Sequence, residues 1–320
     1  MFMENNSKSS TWYFNWKQDL IKDLQTNSAV LRTSAGDIEY AVKGNSGPVI
    51  TGFHESPGGY DQSITMYNDL FYKGFRFIAW SRPGYLRTPI TVGRTFDQQA
   101  DALIPLLDHF KVAKTALVAS STGAPVALQF AIRHPDRVWA IILINPVSQK
   151  YDLNSSKKSE KFISKMTFND PTIYLYNLFT KYATSSVVKS IVKMESDFDN
   201  ERLNEEVDKI MSSPKKLNAI LGLIRSMSPI SIRAEGLQND IYQCANIVGF
   251  DFKKITAPML IVRGKHDADV TLHHSGYITS NVKHAELYTV EDAFHIMNVS
   301  DSHPKTVQKK LDFLAKYKPY

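Results

Sequence analysis

The sequence predicts the α/β class: a doubly wound, mostly parallel, eight-stranded sheet with a helical insertion. Three observations predict it. Short apolar, β-rich runs alternate with helical ones, which is the pattern of a sheet covered by helices. The middle runs, such as Trp139-Ala140-Ile141-Ile142-Leu143-Ile144, are continuously apolar, as a strand buried on both faces reads. The alternation then stops near Val147 and strand character returns at Pro258, which brackets an insertion.

In chain order, the expected strands are Ala29–Thr33, Ile38–Val42, Val49–Phe53, Phe75–Trp80, Thr115–Ala119, Val138–Ile144, Met259–Val262 and Ala285–Val290. The first two are joined by Ser34-Ala35-Gly36-Asp37, a hairpin-like turn, so the sheet opens with an antiparallel pair. Helices are expected over 61–73, 95–110, 122–133 and 304–318. Between 150 and 250 the chain reads as helical and polar, with Leu217, Ile220, Leu221 and Ile224 on one face. Its basic cluster Ser155–Lys161 reads as a solvated face. This gives three segments. Residues 1–149 hold an N-terminal arm and the first part of the core, 150–250 a helical cap, and 251–320 the rest of the core.

The N-terminal arm carries Trp12, Trp16, Leu20 and Leu24 at four-residue steps, one stripe of a helix. The stripe predicts a helix docked on the body; an interfacial membrane contact is the alternative. No apolar run approaches the ~20 residues that span a bilayer. Residues 1–10 lack the apolar stretch of a signal peptide, so the expected location is the cytoplasm.

Composition narrows the function. The 320 residues are 43% hydrophobic and 11% aromatic, which excludes a disordered chain. Lys+Arg 38 against Asp+Glu 32 gives +6, spread along the chain rather than packed into one arm, so no nucleic-acid partner is expected. The single cysteine, Cys244, precludes an intrachain disulfide and reads as a buried small hydrophobe.

The sharpest local signal is Leu117-Val118-Ala119-Ser120-Ser121-Thr122-Gly123-Ala124, at a strand-to-helix junction. A serine at the tip of so tight a turn adopts a strained backbone, and the residues two before and two after must be small. Ala119 and Gly123 satisfy this around Ser121, whereas centring on Ser120 would place Val118 and Thr122 there. Ser121 is therefore the expected nucleophile. A serine hydroxyl needs a base, and the base an orienting acid.

Two sites follow the insertion, both beyond strand ends, where α/β sheets place ligands. One is Gly264-Lys265-His266-Asp267-Ala268-Asp269, the other Glu291-Asp292-Ala293-Phe294-His295. They supply Asp267 as acid, with Asp269 the alternative, and His295 as base. His266, His273 and His274 are expected on the surface.

Taken together, these motifs resemble the α/β-hydrolase superfamily, in its esterase and proline iminopeptidase-like branch with a helical cap. Phe53-His54-Glu55-Ser56-Pro57-Gly58-Gly59 resembles the His-Gly-x-Pro oxyanion loop. Trp80-Ser81-Arg82-Pro83-Gly84-Tyr85-Leu86 resembles the Asp-x-Pro-Gly-x-Gly turn, and Arg133-His134-Pro135-Asp136-Arg137-Val138 the link after the elbow. The resemblance implies a serine hydrolase acting on a small acyl substrate through Ser121, His295 and Asp267. Backbone N–H groups of Ser56 and Thr122 would bind the oxyanion, and neither metal nor organic cofactor is required. An aminopeptidase with cap carboxylates such as Glu201, Glu205 and Glu206 is an alternative, as is a non-catalytic ligand-binding protein on the same fold. Phe168, Tyr174 and Tyr176 are candidates for an acyl-site lining. The sequence departs from the pattern where Glu55 and Leu86 replace glycines, Ser81 replaces an aspartate and Phe294 stands where glycine is common. Glu55 beside an oxyanion would oppose it unless it points away or pairs with a cation.

Overall fold

The computed structural model describes residues 2–71, 73–151 and 169–319. Its sheet has eight strands: β1 (Ala29–Thr33), β2 (Gly36–Lys43), β3 (Val49–Phe53), β4 (Arg76–Trp80), β5 (Thr115–Ser120), β6 (Val138–Ile144), β7 (Met259–Gly264) and β8 (Ala285–Val290). Every strand falls where the apolar runs placed it. The spatial order is β1-β2-β4-β3-β5-β6-β7-β8. The first two pairings, β1 with β2 and β2 with β4, are antiparallel and the rest parallel.

The continuous apolar strands pack on both faces. In β5, Leu117 and Ala119 enter one core cluster and Ala116 and Val118 the other; β6 divides the same way, Ile141 and Leu143 against Ala140, Ile142 and Ile144. Helices α3 (Phe96–His109) and α4 (Ala124–Arg133) cover the first face, while α2 (Tyr60–Met66) and α11 (His303–Tyr317) cover the second. Helix α3 begins with a reciprocal cap, Thr95 Oγ1 accepting from Gln98 N and Gln98 Oε1 from Thr95 N.

From β3 the chain runs through α2 to β4 on one side. It then returns through α3 to β5 on the other side, so the connections diverge between β3 and β5. That divergence opens a crevice at the strand carboxyl ends. Helix α2 is shorter than its pattern predicted. It stops at Met66 because tight turns follow, Leu70 N to Tyr67 O and Lys73 N to Leu70 O, which aim Tyr67, Leu70 and Phe71 at the sheet.

Between β6 and β7 lie α5 (Asp170–Tyr182), α6 (Thr184–Glu195), α7 (Asn200–Ser212), α8 (Pro214–Arg225) and α9 (Ala234–Ala245). The apolar faces of α5 to α8 make a third cluster with Phe294 and Val299 of the core, while Cys244 of α9 joins the first cluster. The Ser155–Lys161 cluster and Phe168 lie outside the described residues.

Helix α1 (Phe2–Thr26) docks as its stripe predicted, with one correction. Tyr13 and Trp16 pack on Tyr174, with ring centroids 5.6 and 5.2 Å apart, and Lys17 pairs with Asp170 at 2.6 Å. Trp12, however, is 68% exposed. Steps of four overshoot a 3.6-residue turn, so over twelve residues the stripe drifts by about 120° and Trp12 leaves the docked face. The same packing removes Tyr174 from any acyl-site lining. No helix among the described residues is long and apolar enough to cross a membrane.

Candidate active site

The elbow forms as its residue sizes require. Ser121 has φ +45°, a left-handed value rare outside glycine. A Cβ on Gly123 would lie 2.5 Å from the His54 carbonyl oxygen, so the position two after the serine must be glycine-sized. Ser121 is 4% exposed. Its neighbour Ser120 turns the other way, its Oγ accepting from the Tyr67 hydroxyl at 2.9 Å.

The structure brings Asp267 and His295 together. His295 Nδ1 and Asp267 Oδ2 are 2.9 Å apart. Asp267 Oδ1 accepts from Asp269 N at 2.8 Å and Val270 N at 2.9 Å, which fixes the carboxylate's orientation. Asp269 instead accepts from the Tyr151 hydroxyl at 2.5 Å and lies 3.9 Å from His295 Nε2, outside hydrogen-bond reach. The end of β6 joins the two halves. Val147 N donates to Ser121 O (3.1 Å), and Asn145 Nδ2 donates to His295 O (2.9 Å) while its Oδ1 accepts from Gly264 N (2.9 Å).

Four carboxyl groups crowd the imidazole. Glu55 Oε2 is 3.8 Å from His295 Nε2, so Glu55 pairs with the ring rather than pointing away. Its backbone does not need the glycine conformation: its φ is not positive, and its N–H donates to Gln62 Oε1 at 2.9 Å. Glu195 arrives from the end of α6, with Oε2 buried and without a hydrogen-bond partner. Its carbonyl accepts from His295 N and Ala268 N, both at 3.4 Å.

Burial and neighbouring acids push the Glu195 carboxyl up to about 8, and burial raises Glu55 and Asp269 as well. Burial works against a charged His295 ring, but Asp267, followed by Asp269 and Glu195, outweighs it and holds the imidazole well above its usual range. Glu195, Asp269 and His295 place one donor atom each within 4.8 Å of one another, close enough to share a small cation. Protons relieve the same crowding, as the raised carboxyls record.

The oxyanion loop is organised differently. Ser56 N–H donates to Thr122 Oγ1 at 2.9 Å, so a predicted donor already has a partner. Ser56 Oγ bonds Asp240 Oδ2 of α9, and the Tyr85 hydroxyl donates to the same oxygen at 2.6 Å. Arg82 closes the cluster with a fully buried two-point pair to Asp240, at 2.9 and 2.5 Å. Arg82 N also donates to His54 Nε2 (2.9 Å), which leaves the proton on His54 Nδ1 to reach Glu55 O (2.9 Å). Burial and Arg82 keep that ring neutral.

Asp240, Arg82, Glu195 and Asn145 were missed by sequence reasoning. Arg82 and Asn145 sit at strand ends that the patterning does mark. Asp240 and Glu195 lie on amphipathic helices, where an acid ordinarily faces solvent. The departures from the family pattern have local answers. Ser81 Oγ donates to buried Glu39 at 2.9 Å, and Leu86 takes the glycine conformation at φ +53° while its N–H reaches Ile232 O.

Three other expectations are settled by position. His266 is half-buried against Asp197, and His273 is exposed. His274 is buried rather than on the surface: it faces the end of β6, its Nδ1 accepts from Ser148 N, and burial lowers it to about 4. Glu201 and Glu205 are exposed, and Glu206 is buried beside Lys209, whereas Glu195 and Asp240 are the insertion acids that reach His295 and Ser56. Cys244 is buried, as expected.

A cavity of about 290 Å³ borders the site between α2, α8 and the His295 turn. Glu55, Tyr67, Ser120, Leu223, His295 and Met297 are among its walls. Ser121 is not among its lining residues; Ser120 is the elbow residue that reaches it.

Known proteins resemble this chain in sequence and fold. A family model described as alpha/beta hydrolase fold matches residues 50–302. An uncharacterized hydrolase, YcgS, of Bacillus subtilis (strain 168) is 24% identical over 280 residues, 87% of this chain and 95% of that protein. An alpha/beta hydrolase fold protein from Nakamurella multipartita superposes with a TM-score of 0.81 at 28% identity, covering 90% of this chain and 98% of that one. The enol-lactonase from Burkholderia xenovorans LB400 shares the fold at TM-score 0.62 and 17% identity, with coverages of 90% and 100%. The chain belongs to the alpha/beta hydrolase family and is a hydrolase.

Proposed function

We propose that this hydrolase cleaves a carboxylic ester or related acyl compound through Ser121, His295 and Asp267. Ser121 Oγ attacks the acyl carbonyl while His295 Nε2 takes its proton. The tetrahedral intermediate's oxygen is held by the N–H groups of Ser56 and Thr122. The intermediate collapses as His295 returns the proton to the leaving alkoxide, which leaves an acyl-Ser121. Water, deprotonated by His295, then releases the acid. Asp267 orients the ring and offsets its charge. Residues 150–250 act as a cap over this site, and the small cavity beside His295 favours a short acyl chain.

One observation carries the reading: a serine held at positive φ and a carboxylate-bound imidazole are both anchored to the end of β6. The test is turnover of p-nitrophenyl esters of rising chain length and of aminoacyl-prolyl amides, with wild type and Ser121→Ala. Short esters should be hydrolysed, and Ser121→Ala should lose about 10⁴-fold or more in kcat. Wild-type rates in a folded Ser121→Ala variant would overturn the assignment, and preference for the amides would point to an aminopeptidase.

A further inference from the structure

We propose that the Thr122 side chain is a gate on the oxyanion site: its hydroxyl occupies the Ser56 N–H in the free enzyme and must rotate away before that N–H can receive substrate oxygen. This rests on the reading of Ser56 N–H as an oxyanion donor.

The proton directions follow from the acceptor at the end of the chain. Asp240 is bound by Arg82, so its carboxylate only accepts. The hydroxyls of Tyr85 and Ser56 therefore donate to Asp240. Ser56 Oγ, its own proton committed, accepts from the Thr122 hydroxyl at 2.9 Å, and Thr122 Oγ1 in turn accepts the Ser56 N–H at 2.9 Å. The ring of bonds is complete, with each proton used once. Thr122 is thus fixed from two sides, and the β-branched side chain is stiff at χ1.

The Thr122 backbone N–H belongs to the same oxyanion site, so a single residue supplies one donor and covers the other. A ligand must offer Ser56 N–H something better than a neutral hydroxyl. A tetrahedral oxyanion does, because a bond to a charged acceptor is roughly twice as strong. A ground-state carbonyl does not. The gate therefore favours strongly polarised acyl groups and holds back ordinary ones.

Removing the hydroxyl raises the free enzyme's energy without touching the tetrahedral state, so catalysis should improve. Thr122→Ala is expected to raise kcat/KM for p-nitrophenyl acetate by roughly 2- to 10-fold, the equivalent of one neutral hydrogen bond. Binding of butylboronic acid, whose serine adduct places a charged oxygen in the hole, should tighten by the same factor, with KM nearly unchanged. Thr122→Ser keeps the hydroxyl but frees its rotation and should fall between wild type and Ala, which also serves if the Ala variant does not fold. Equal or weaker boronate binding and unchanged or lower kcat/KM in both variants would overturn the gate while leaving the triad standing. Folded wild type and variants that all fail to react with a fluorophosphonate would overturn the triad reading and the gate with it.

Discussion

The two sides of the site are built in opposite ways. On the acid–base side, Asp267 and His295 leave adjacent strands, β7 and β8, and meet through one bond with two backbone N–H groups behind it. On the oxyanion side, Ser56 is held by Thr122 from β5's end and by Asp240 from α9, which also accepts from Tyr85 in the turn after β4. The Asp267–His295 pair of the first side comes from the sheet's own turns, and the insertion touches it through the Glu195 carbonyl, which accepts from His295 N and Ala268 N. The second side exists only when the insertion has docked. The difference teaches that, in the proposed mechanism, the sheet positions the His295–Asp267 pair and the insertion positions the Ser56 loop.

The largest expected effect breaks the oxyanion side alone. Removing one partner of a buried ion pair leaves an uncompensated charge and costs about 3–5 kcal/mol. Asp240→Ala should therefore lower Tm by about 4–8 °C, at the roughly 1.5 °C per kcal/mol expected for a chain of this size. Pairing it with Arg82→Met should recover part of the loss, since an apolar pair needs no solvation. Thermal melts of the single and double variants check this.

The next effect sharpens the acid–base side. The acids around His295 hold it well above its usual range, and in the proposed mechanism the protonated ring cannot accept the serine proton. The acid limb of kcat/KM should lie above the usual imidazole value of 6.5, and Glu195→Gln should move it down to the extent that the limb reaches the range near 8 in which Glu195 ionises and favours the charged ring. Stability carries the same sign. Folded Glu195 holds its proton up to about 8 while the unfolded carboxyl releases it near 4.5, so stability falls as pH rises between those values. Glu195→Gln should raise Tm at pH 8 and change it little at pH 4. A pH-independent Tm difference would contradict the charge argument.

The smallest effect tests the seam between the sides. The Tyr67 hydroxyl lies 2.9 Å from both Phe53 O and Ser120 Oγ, linking the loop's strand to the elbow. Tyr67→Phe should cost about 1 kcal/mol of stability, with a slight loss of kcat. Chemical denaturation measures the first and ester turnover the second.

The same contrast explains what could be read from the chain. The strands were legible because continuous apolar runs have one use in a soluble fold. Ser121 was legible because its turn admits only small flanking residues, and Gly123 shows why, facing the His54 carbonyl at 2.5 Å. The meeting of Asp267 with His295 was legible because both follow the ends of neighbouring strands. Asp240 was not, because its partner Arg82 lies 158 residues away and nothing local separates a buried helical acid from a solvated one. Thr122 was read only as a backbone donor, since which way a hydroxyl turns depends on Ser56 across the crevice. Trp12 was misplaced by a step of four in a helix that turns every 3.6 residues.

The most direct test of the central claim is fluorophosphonate labelling followed by peptide mapping, which distinguishes adjacent serines. The account predicts a single adduct on Ser121, absent in Ser121→Ala and retained in Ser120→Ala. An adduct on Ser120, the serine that lines the cavity, or no adduct in folded wild type, would contradict it.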